Sequence, residues 1–151
     1  MPVYDFSYLT DTQLAWVAGF VDGEGCITTI TNGPAGSKHM VCLSVCNTDR
    51  AVIDLLKKWF RCGGITTNHQ KRRNPNWLDA YTWTVRAKAA GGVISVLLPF
   101  LRVKHKQARV ALRLRKIVEE GGTLKTKAKL ALEIRSHNGR RSVYSRRKRG
   151  E

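Results

Sequence analysis

The segment from Leu14 to Gly25, LAWVAGFVDGEG, is apolar around nearly its whole circumference. Just before it, Thr10 and Gln13 form a capping-box pattern, which predicts that a helix begins after Thr10. One face of that helix, at helical spacing, carries Leu14, Val17, Ala18 and Val21. The opposite face carries Trp16, Gly19, Phe20 and Gly23. Because a surface helix is normally polar on one side, we expect this helix to be buried on both sides, with one side in the chain's own core and the other against a second partner.

Glycines and one acid mark the interior and the end of this helix. Glycine inside a helix is less favourable than alanine by about 1 kcal/mol, so Gly19 indicates that another backbone comes close there. Gly23 is suited to the left-handed conformation in which many helices end. Glu24 would then leave the helix at its carboxyl end, where the helix dipole is negative and a carboxylate needs a cation beside it. This arrangement indicates a functional site.

Residues 17 to 25 read VAGFVDGEG and resemble the signature of the LAGLIDADG homing endonucleases nearly position by position. In that family the motif helices of two subunits, or of two halves of one chain, pack together, and the acid after the second glycine binds a divalent metal that cleaves DNA. The resemblance implies that Glu24, where the family usually has aspartate, is a catalytic metal ligand aided by the backbone carbonyl of Gly23. It implies Mg²⁺ as cofactor, with Mn²⁺ as a substitute and Ca²⁺ supporting binding without cleavage.

The number of motifs bears on the oligomeric state. The chain has 151 residues, enough for one domain with a core and too few for two full domains. Only one such motif was recognised in it, and the second apolar face of the motif helix needs a partner. Together these features predict a homodimer with twofold symmetry. Its interface is expected to include Trp16, Gly19, Phe20 and Gly23.

The charge of the chain is large and unevenly distributed. The net charge is +16, yet residues 1–37 contain no Lys or Arg. This segregation favours a surface that binds a polyanion, although a ribosomal or other RNA-binding protein would be equally basic. No apolar run approaches the roughly 20 residues of a membrane span. We therefore expect a soluble, intracellular protein of the cytoplasm, nucleoid or an organelle matrix, neither secreted nor bound to a membrane.

The four cysteines do not form a metal-binding or disulfide pattern. Cys42 and Cys46 are separated by three residues, and the chain has no pair of cysteines at the two-residue spacing typical of zinc sites. We interpret Cys26, Cys42, Cys46 and Cys62 as small, half-buried side chains on strands.

Hydrophobic periodicity and turn residues predict the remaining elements. Strands are expected over residues 26–32, 38–46, 65–71 and 80–86. Helices are expected from caps at residues 47–49 through Phe60, over 91–98, from about 107 to 120, and over 124–135. The helix that ends at Phe60 is expected to bury Val52, Leu55, Leu56 and Trp59. The helix that ends near Glu120 is expected to bury Ala108, Ala111, Leu112, Ile117 and Val118.

This order of elements predicts an α+β fold with a four-stranded antiparallel sheet and helices on one face. The resemblance agrees, since a LAGLIDADG unit has the order α-β-β-α-β-β-α and its open sheet face forms a saddle on DNA. We expect one endonuclease domain over residues 1–136 and a basic C-terminal tail over residues 137–151. The tail has few apolar residues and is expected to be flexible unless a nucleic acid, including RNA, binds it.

Sequence-specific binding of double-stranded DNA would come from side chains on the outer face of the sheet, supported by cations on phosphates. A register error of one residue would swap the two faces. Alternation assigns to the outer face Thr28, Ile30, Asn32, Lys38, Met40, Ser44, Thr82, Thr84 and Arg86. The second hairpin is expected to add His69, Lys71, Arg72 and Arg73. Backbone phosphates are expected to be held by Arg102, Lys106 and Arg109.

Family members carry a polar residue at the end of the second strand and a basic residue in a later Lys-rich segment. In this chain the resemblance assigns these catalytic roles to Asn47 and Lys104, with Arg50 as a further neighbour. Asn47 is also a favoured helix cap, and that alternative stays open. Without the resemblance, Lys104 would be interpreted as one more solvated lysine.

The sequence therefore predicts a site-specific DNA endonuclease that acts as a homodimer on a long, pseudo-palindromic site. In this family the gene usually lies in a mobile intron, and cleavage of the uninterrupted allele spreads it. The alternative is a protein on the same scaffold that binds nucleic acid without cleaving it, such as an RNA maturase or a repressor. A basic ribosome-associated protein does not explain why an acid ends an entirely apolar helix.

Overall fold

A computed structural model describes residues 4–139 as an α+β fold. The strands are β1 (Gly25–Asn32), β2 (Lys38–Asn47), β3 (Gly64–Asn68) and β4 (Ala80–Arg86). The helices are α1 (Asp11–Glu24), α2 (Arg50–Phe60), α3 (Ala87–Leu97), α4 (His105–Glu119) and α5 (Leu124–His137). The predicted element order is confirmed, while most of the predicted basic tail lies outside the described residues. No helix within residues 4–139 is long and apolar enough to cross a membrane.

The four strands form one antiparallel sheet in the order β1-β2-β4-β3. Thr28 pairs with Cys42, Ile30 with Met40, and Ser44 with Thr84. Directly paired residues share one face of a sheet, so the predicted alternation has the correct register. The opposite face supplies the fully buried side chains Ile27, Leu43, Val45 and Trp83. All five helices pack on this buried side, which leaves the face predicted to contact DNA uncovered by the helices.

The burial of α2 differs from its prediction by one position. Its buried residues are Ile53, Leu56 and Phe60, whereas Val52, Leu55 and Trp59 are only half-buried. The apolar stripe is wide enough to offer two adjacent orientations, and contacts elsewhere in the chain select one. Phe60 stacks on Trp83 with ring centroids 5.5 Å apart, which fixes the rotation of the helix.

A left-handed residue and a glycine end α2. Arg61 has φ 53° and caps the helix, and Gly63 has φ 82°. A Cβ atom on Gly63 would lie 2.6 Å from Nε1 of Trp83, so the indole can pack here only because the residue is glycine. The predicted end of the helix at Phe60 and the break at Gly63 are thus correct.

Three further predictions need correction. The strand predicted to reach residue 71 ends at Asn68, and the chain continues as a 3₁₀ turn over Gln70–Arg72. Helix α3 begins at Ala87, not at residue 91, because β4 turns directly into it through Ala87 at φ 53°. On α4 the predicted Leu112, Ile117 and Val118 are half-buried. The residues that α4 buries are Gln107, Ala108, Val110, Ala111 and Leu114.

Candidate functional site at the carboxyl end of α1

The first helix begins as predicted but ends at a different glycine. The Thr10 hydroxyl accepts from Gln13 N at 3.2 Å, and Gln13 Oε1 accepts from Thr10 N at 2.9 Å, which completes the capping box. Gly23 lies within the helix, so its predicted left-handed conformation is wrong. The helix ends instead at Gly25, which is extended at φ −90° and ψ 167°. A Cβ atom there would lie 2.7 Å from the carbonyl oxygen of Val21, so the change from helix to strand requires glycine.

Glu24 is the last residue of α1, and its side chain is exposed. The last turn of α1 has no basic residue, so within its own helix the carboxylate faces the negative end of the dipole without compensation. Gly23 lies in the same turn, where carbonyl oxygens have no partner inside the helix. The end of α1 therefore presents a carboxylate and backbone oxygens together, which are the ligands that Mg²⁺ prefers.

Asp22 connects this helix end to a segment 80 residues away. Its two carboxylate oxygens accept from Arg102 N at 2.8 Å and from Lys104 N at 2.9 Å. Nζ of Lys104 donates to the backbone oxygen of Asp22 at 2.6 Å. Lys104, predicted to reach the site from sequence resemblance, is thus attached to the last turn of α1 two residues before Glu24.

Opposing effects set the pKa of the Asp22 carboxyl. Partial burial favours the neutral form, but the N–H groups of Arg102, Lys104 and Val103 and the positive charge of Lys104 outweigh burial. The pKa of Asp22 is consequently held below its usual value, and the carboxylate is charged near neutral pH. Sequence analysis did not assign Asp22 to the site. In the sequence, the position of Asp22 was indicated only by an acid inside an apolar helix. The N–H groups that bind it belong to a distant loop, which the sequence pattern did not connect to it.

Asn47 and Arg50 lie at the same end of the sheet. Gly25 at the start of β1 pairs with Val45, so Glu24, which precedes β1, and Asn47, which ends β2, lie at the same end of these two strands. The Asn47 side chain accepts from Asp49 N at 2.8 Å, and it is Asp49, through Ala51 N at 3.0 Å, that caps α2. Asn47 therefore forms the turn before the helix and is not its cap.

Arg50 is oriented by two neighbours. It forms an exposed ion pair with Asp54 at 3.5 Å, and its guanidinium lies 5.2 Å from the centre of the Tyr81 ring. Tyr81 is also the strand partner of Asn47. Arg50 and Asn47 are consequently held next to each other, and the catalytic role of both stays a prediction.

The predicted nucleic-acid face is partly polar and lies next to this site. Cys42 on that face is buried between neighbouring side chains, and burial raises the pKa of its thiol. Arg102, Lys106 and Arg109 are exposed around the start of α4. The charged residues expected from the second hairpin are in the connecting loop, not on β3, because β3 is short.

The second face of α1 is only partly covered by the described residues, with Trp16 packed edge-on against Trp59 at 5.7 Å between ring centroids. Trp16 is 43% exposed and stacks on Phe20, with ring centroids 5.4 Å apart. No atom of the described chain lies within 4 Å of a Cβ atom built on Gly19 or Gly23. The space beside both glycines is open in the single chain.

The residues present in one chain fit only part of a metal site. Across residues 4–139, no group of three or more His, Cys, Asp or Glu side chains could hold a metal ion. A metal at Glu24 would take its further ligands from backbone oxygens, from water or from a second chain. The four cysteines are free thiols. Cys26, Cys42 and Cys46 lie on strands as predicted, whereas Cys62 lies between α2 and β3. Only Cys26 and Cys62 are half-buried, since Cys42 is buried and Cys46 is exposed.

Comparisons with known proteins identify the fold. No protein-family model matches the sequence, and a search of curated proteins finds no relative. The homing endonuclease I-CvuI, solved with its target in the presence of Ca, superposes with TM-score 0.71 and 23% identity over 83% of this chain and 82% of that chain. The archaeal intron-encoded homing endonuclease I-Vdi141I, complexed with DNA, gives TM-score 0.71 and 21% identity over 84% of each chain.

The chain has the LAGLIDADG homing endonuclease fold. A longer protein with this fold shows how much of a meganuclease chain one copy of the present chain matches. The meganuclease I-SmaMI, bound to uncleaveable DNA, superposes with TM-score 0.63 and 20% identity over 83% of this chain but only 43% of that chain. One chain of the present protein therefore corresponds to less than half of a meganuclease with the LAGLIDADG fold.

Proposed function

We propose that this protein is a site-specific homing endonuclease that hydrolyses both strands of double-stranded DNA. The observation that carries the proposal is the hydrogen bonding of Lys104 to the last turn of an apolar helix that ends at the exposed Glu24, beside an open sheet face. Lys104 is attached there to Asp22 by two hydrogen bonds, one from its backbone N–H to the carboxylate and one from Nζ to the backbone oxygen, while Arg102 N donates to the other carboxylate oxygen. The LAGLIDADG fold, seen in homing endonucleases complexed with DNA, supports the same activity.

The cofactor that fits the site is Mg²⁺, held by the carboxylate of Glu24 and the carbonyl oxygen of Gly23. The metal would polarise the scissile phosphate and lower the pKa of the attacking water. We expect Mn²⁺ to substitute and Ca²⁺ to support binding without cleavage. The structures of I-CvuI in the presence of Ca and of Mg agree with divalent metal use in this fold.

The side chains around the metal site have separate tasks. The ammonium of Lys104, fixed by its bond to the Asp22 backbone oxygen, stabilises negative charge that develops on the phosphate. Asn47 offers an amide at the end of β2 for hydrogen bonding to water, and Arg50 beside it adds positive charge. Asp22 does not contact DNA in this proposal and acts by positioning Lys104.

The active species is a homodimer. One chain supplies a single carboxylate at the end of α1, and its second helix face is apolar and open beside Gly19 and Gly23. Packing the two α1 helices through Trp16, Gly19, Phe20 and Gly23 would bury this face and bring two Glu24 carboxylates together, where bound metals offset their repulsion. The length of I-SmaMI, more than twice the matched region, supports two units per active protein.

The open face of the sheet would read the target, and twofold symmetry predicts a pseudo-palindromic sequence. The gene is expected to lie in a mobile intron, and I-Vdi141I, which shares the fold, is an intron-encoded homing endonuclease. Contact of RNA with residues 140–151, outside the described residues, is part of the same proposal.

Cleavage of a library of candidate duplexes tests the proposal. We expect the wild type to make double-strand breaks in Mg²⁺ and none without a divalent metal. Glu24→Gln should cut at least about 100-fold more slowly, while its affinity for the selected duplex in Ca²⁺ stays within a few-fold of wild type. A matched control, Glu120→Gln, changes an exposed acid on the far end of α4 and should cut normally.

Two outcomes would contradict the proposal. Normal cutting by Glu24→Gln removes Glu24 from the metal site. Tight binding by the wild type without any nicking in Mg²⁺ indicates a non-cleaving maturase or repressor instead.

A further inference from the structure

The loop between β3 and β4, residues 69–79, is held in a defined shape by its own hydrogen bonds. Lys71 N donates to Oδ1 of Asp79 at 3.2 Å, and His69 lies 3.6 Å from the other carboxylate oxygen. Asn74 accepts from Trp77 N at 3.0 Å through its backbone oxygen and from Asn76 N at 3.0 Å through its side chain. The tip of the loop is therefore structured although it projects from the sheet.

This structured loop displays two adjacent apolar side chains to solvent. Trp77 is 52% exposed and Leu78 is 61% exposed, and they are neighbours in sequence. The other three tryptophans of the chain are less exposed: Trp16 at 43%, Trp59 half-buried and Trp83 fully buried. Exposed aromatic and apolar side chains on a structured loop are typical of a surface that binds a partner.

The charges of the loop indicate the chemistry of that partner. Lys71, Arg72 and Arg73 are exposed on the same loop. The single acid of residues 69–79 is Asp79, whose carboxylate is occupied by the Lys71 N–H and His69. The loop thus presents three cations and no available carboxylate, so it complements a partner rich in negative charge and not a neutral or basic surface. Among such partners, the proposed function favours DNA.

The position of the loop relates it to the candidate site. Asn68 pairs with Ala80 where the loop begins and ends, and Tyr81, the next residue, pairs with Asn47. The loop consequently lies at the same end of the sheet as Asn47 and the last residue of α1. From β1 to the edge strand β3 there are three strand spacings, about 14 Å at about 4.8 Å each.

We propose that Trp77 and Leu78 pack against deoxyribose and base edges of the DNA close to the cleaved phosphates, while Lys71, Arg72 and Arg73 bind the phosphates on either side. The inference rests on the proposed function for its ligand. Apolar side chains that enter a groove beside cations are a known mode of DNA contact, and they add affinity without adding charge.

The salt dependence of binding separates the two kinds of contact. The probe is the duplex recovered by selection from a randomised library, bound in Ca²⁺ at several salt concentrations. We expect Trp77→Ala to weaken binding about tenfold with an unchanged slope of log affinity against log salt. Arg73→Ala should instead lower the magnitude of the slope by about one. Trp77→Phe should recover most of the affinity, because it keeps an aromatic face.

A matched control and a position-specific probe complete the test. Leu132→Ala removes a leucine that is 63% exposed on α5, away from the open sheet face, and should bind within about twofold of wild type. With 2-aminopurine placed in the duplex, Trp77→Ala should alter fluorescence of the bound DNA next to the cut position and not at the distal ends.

The outcomes distinguish this inference from the proposed nuclease function. If the wild type cuts DNA and Trp77→Ala binds and cuts like it, the inference is wrong and the nuclease proposal stands. If Trp77→Ala weakens binding as expected but the wild type never cuts, the loop contact stands and the nuclease proposal is wrong. Loss of affinity that Trp77→Phe does not restore, with a lower melting temperature, would assign Trp77 a structural role and overturn the inference.

Discussion

The two long faces of α1 are similarly apolar in sequence but have opposite surroundings in the structure. Val17, Ala18 and Val21 are fully buried against the sheet and the other helices. On the other side Trp16 is 43% exposed, and the space beside Gly19 is open. Hydropathy measures how unfavourable exposure to water is, and it does not say which surface provides the cover. The inner face is buried by this chain, whereas the outer face is left partly exposed, and its cover by a second chain is part of the proposed function.

The composition of the two faces differs in a way that matches their surroundings. The inner face uses side chains of intermediate size that fill a core, whereas the outer face combines two glycines with two aromatic rings. Glycines permit two backbones to approach closely, and stacked rings such as Trp16 and Phe20 bury a large area when a partner arrives. Three sets of variants test this difference between the two faces of α1.

The largest effect is expected on the inner face. Val17→Asp places a carboxylate at a position with no exposed area, without a partner for its charge. We expect a loss of at least about 4 kcal/mol in the free energy of unfolding, a large part of the roughly 5–15 kcal/mol typical of a folded domain. Circular dichroism and chemical denaturation measure this. A cooperative transition close to that of wild type would show that α1 is not anchored in the core.

The second-largest effect is expected on the outer face of α1, where a substitution should weaken the association of two chains and leave each chain folded. Gly19→Leu should leave a folded monomer, because nothing in the described chain lies within 4 Å of a Cβ atom at this position. It should abolish the dimer and tight DNA binding if two α1 helices pack there. Analytical ultracentrifugation gives the mass, and an intact dimer would contradict the packing proposal.

Gly19→Ala is the matched control for that variant. It adds one methyl group at an exposed helix position and should stabilise the monomer by about 1 kcal/mol through helix propensity. Any dimer should weaken at the same time. A more stable monomer together with a weaker dimer would identify Gly19 as a residue kept for association.

The smallest effect is expected where the two faces end, at Asp22. Asp22→Asn removes the charged acceptor for the N–H groups of Arg102 and Lys104, and we expect to lose about 2 kcal/mol of stability at pH 7. Because Lys104 loses its support, cleavage should fall more than binding in Ca²⁺. Restored cleavage in Asp22→Glu would point to the hydrogen bonds and not to general packing.

The lowered pKa of Asp22 predicts how the stability of the folded chain depends on pH. The folded-state pKa of Asp22 lies below its ordinary value, so its contribution is fully present above the unfolded pKa of about 3.9 and is lost as pH falls through the folded pKa. Acid unfolding followed by circular dichroism should show this loss in the wild type. If Asp22→Asn has the same acid sensitivity, another group is responsible.

Local patterns predicted the parts of the molecule that local physics controls. The capping box at Thr10, the alternation along β1, β2 and β4, and the break at Gly63 follow from spacing and from backbone geometry within a few residues. The resemblance located Glu24 and Lys104 as residues of interest, and the structure holds Lys104 against the last turn of α1. Their catalytic roles stay predictions until cleavage is measured.

Contacts between distant segments decided the rest. The rotation of α2 was fixed by Phe60 against Trp83. The end of α1 is a local exception, since the Val21 carbonyl lies so close to Gly25 that only glycine fits there. The role of Asp22 depends on N–H groups 80 residues further along, and the shape of the loop that carries Trp77 depends on Asp79. The sequence by itself determined which faces are apolar and in what order helices and strands follow one another, because periodicity and capping act over a few residues. Only the tertiary structure decided which apolar face the chain covers and which polar groups meet, because burial and long-range hydrogen bonds depend on how the elements pack.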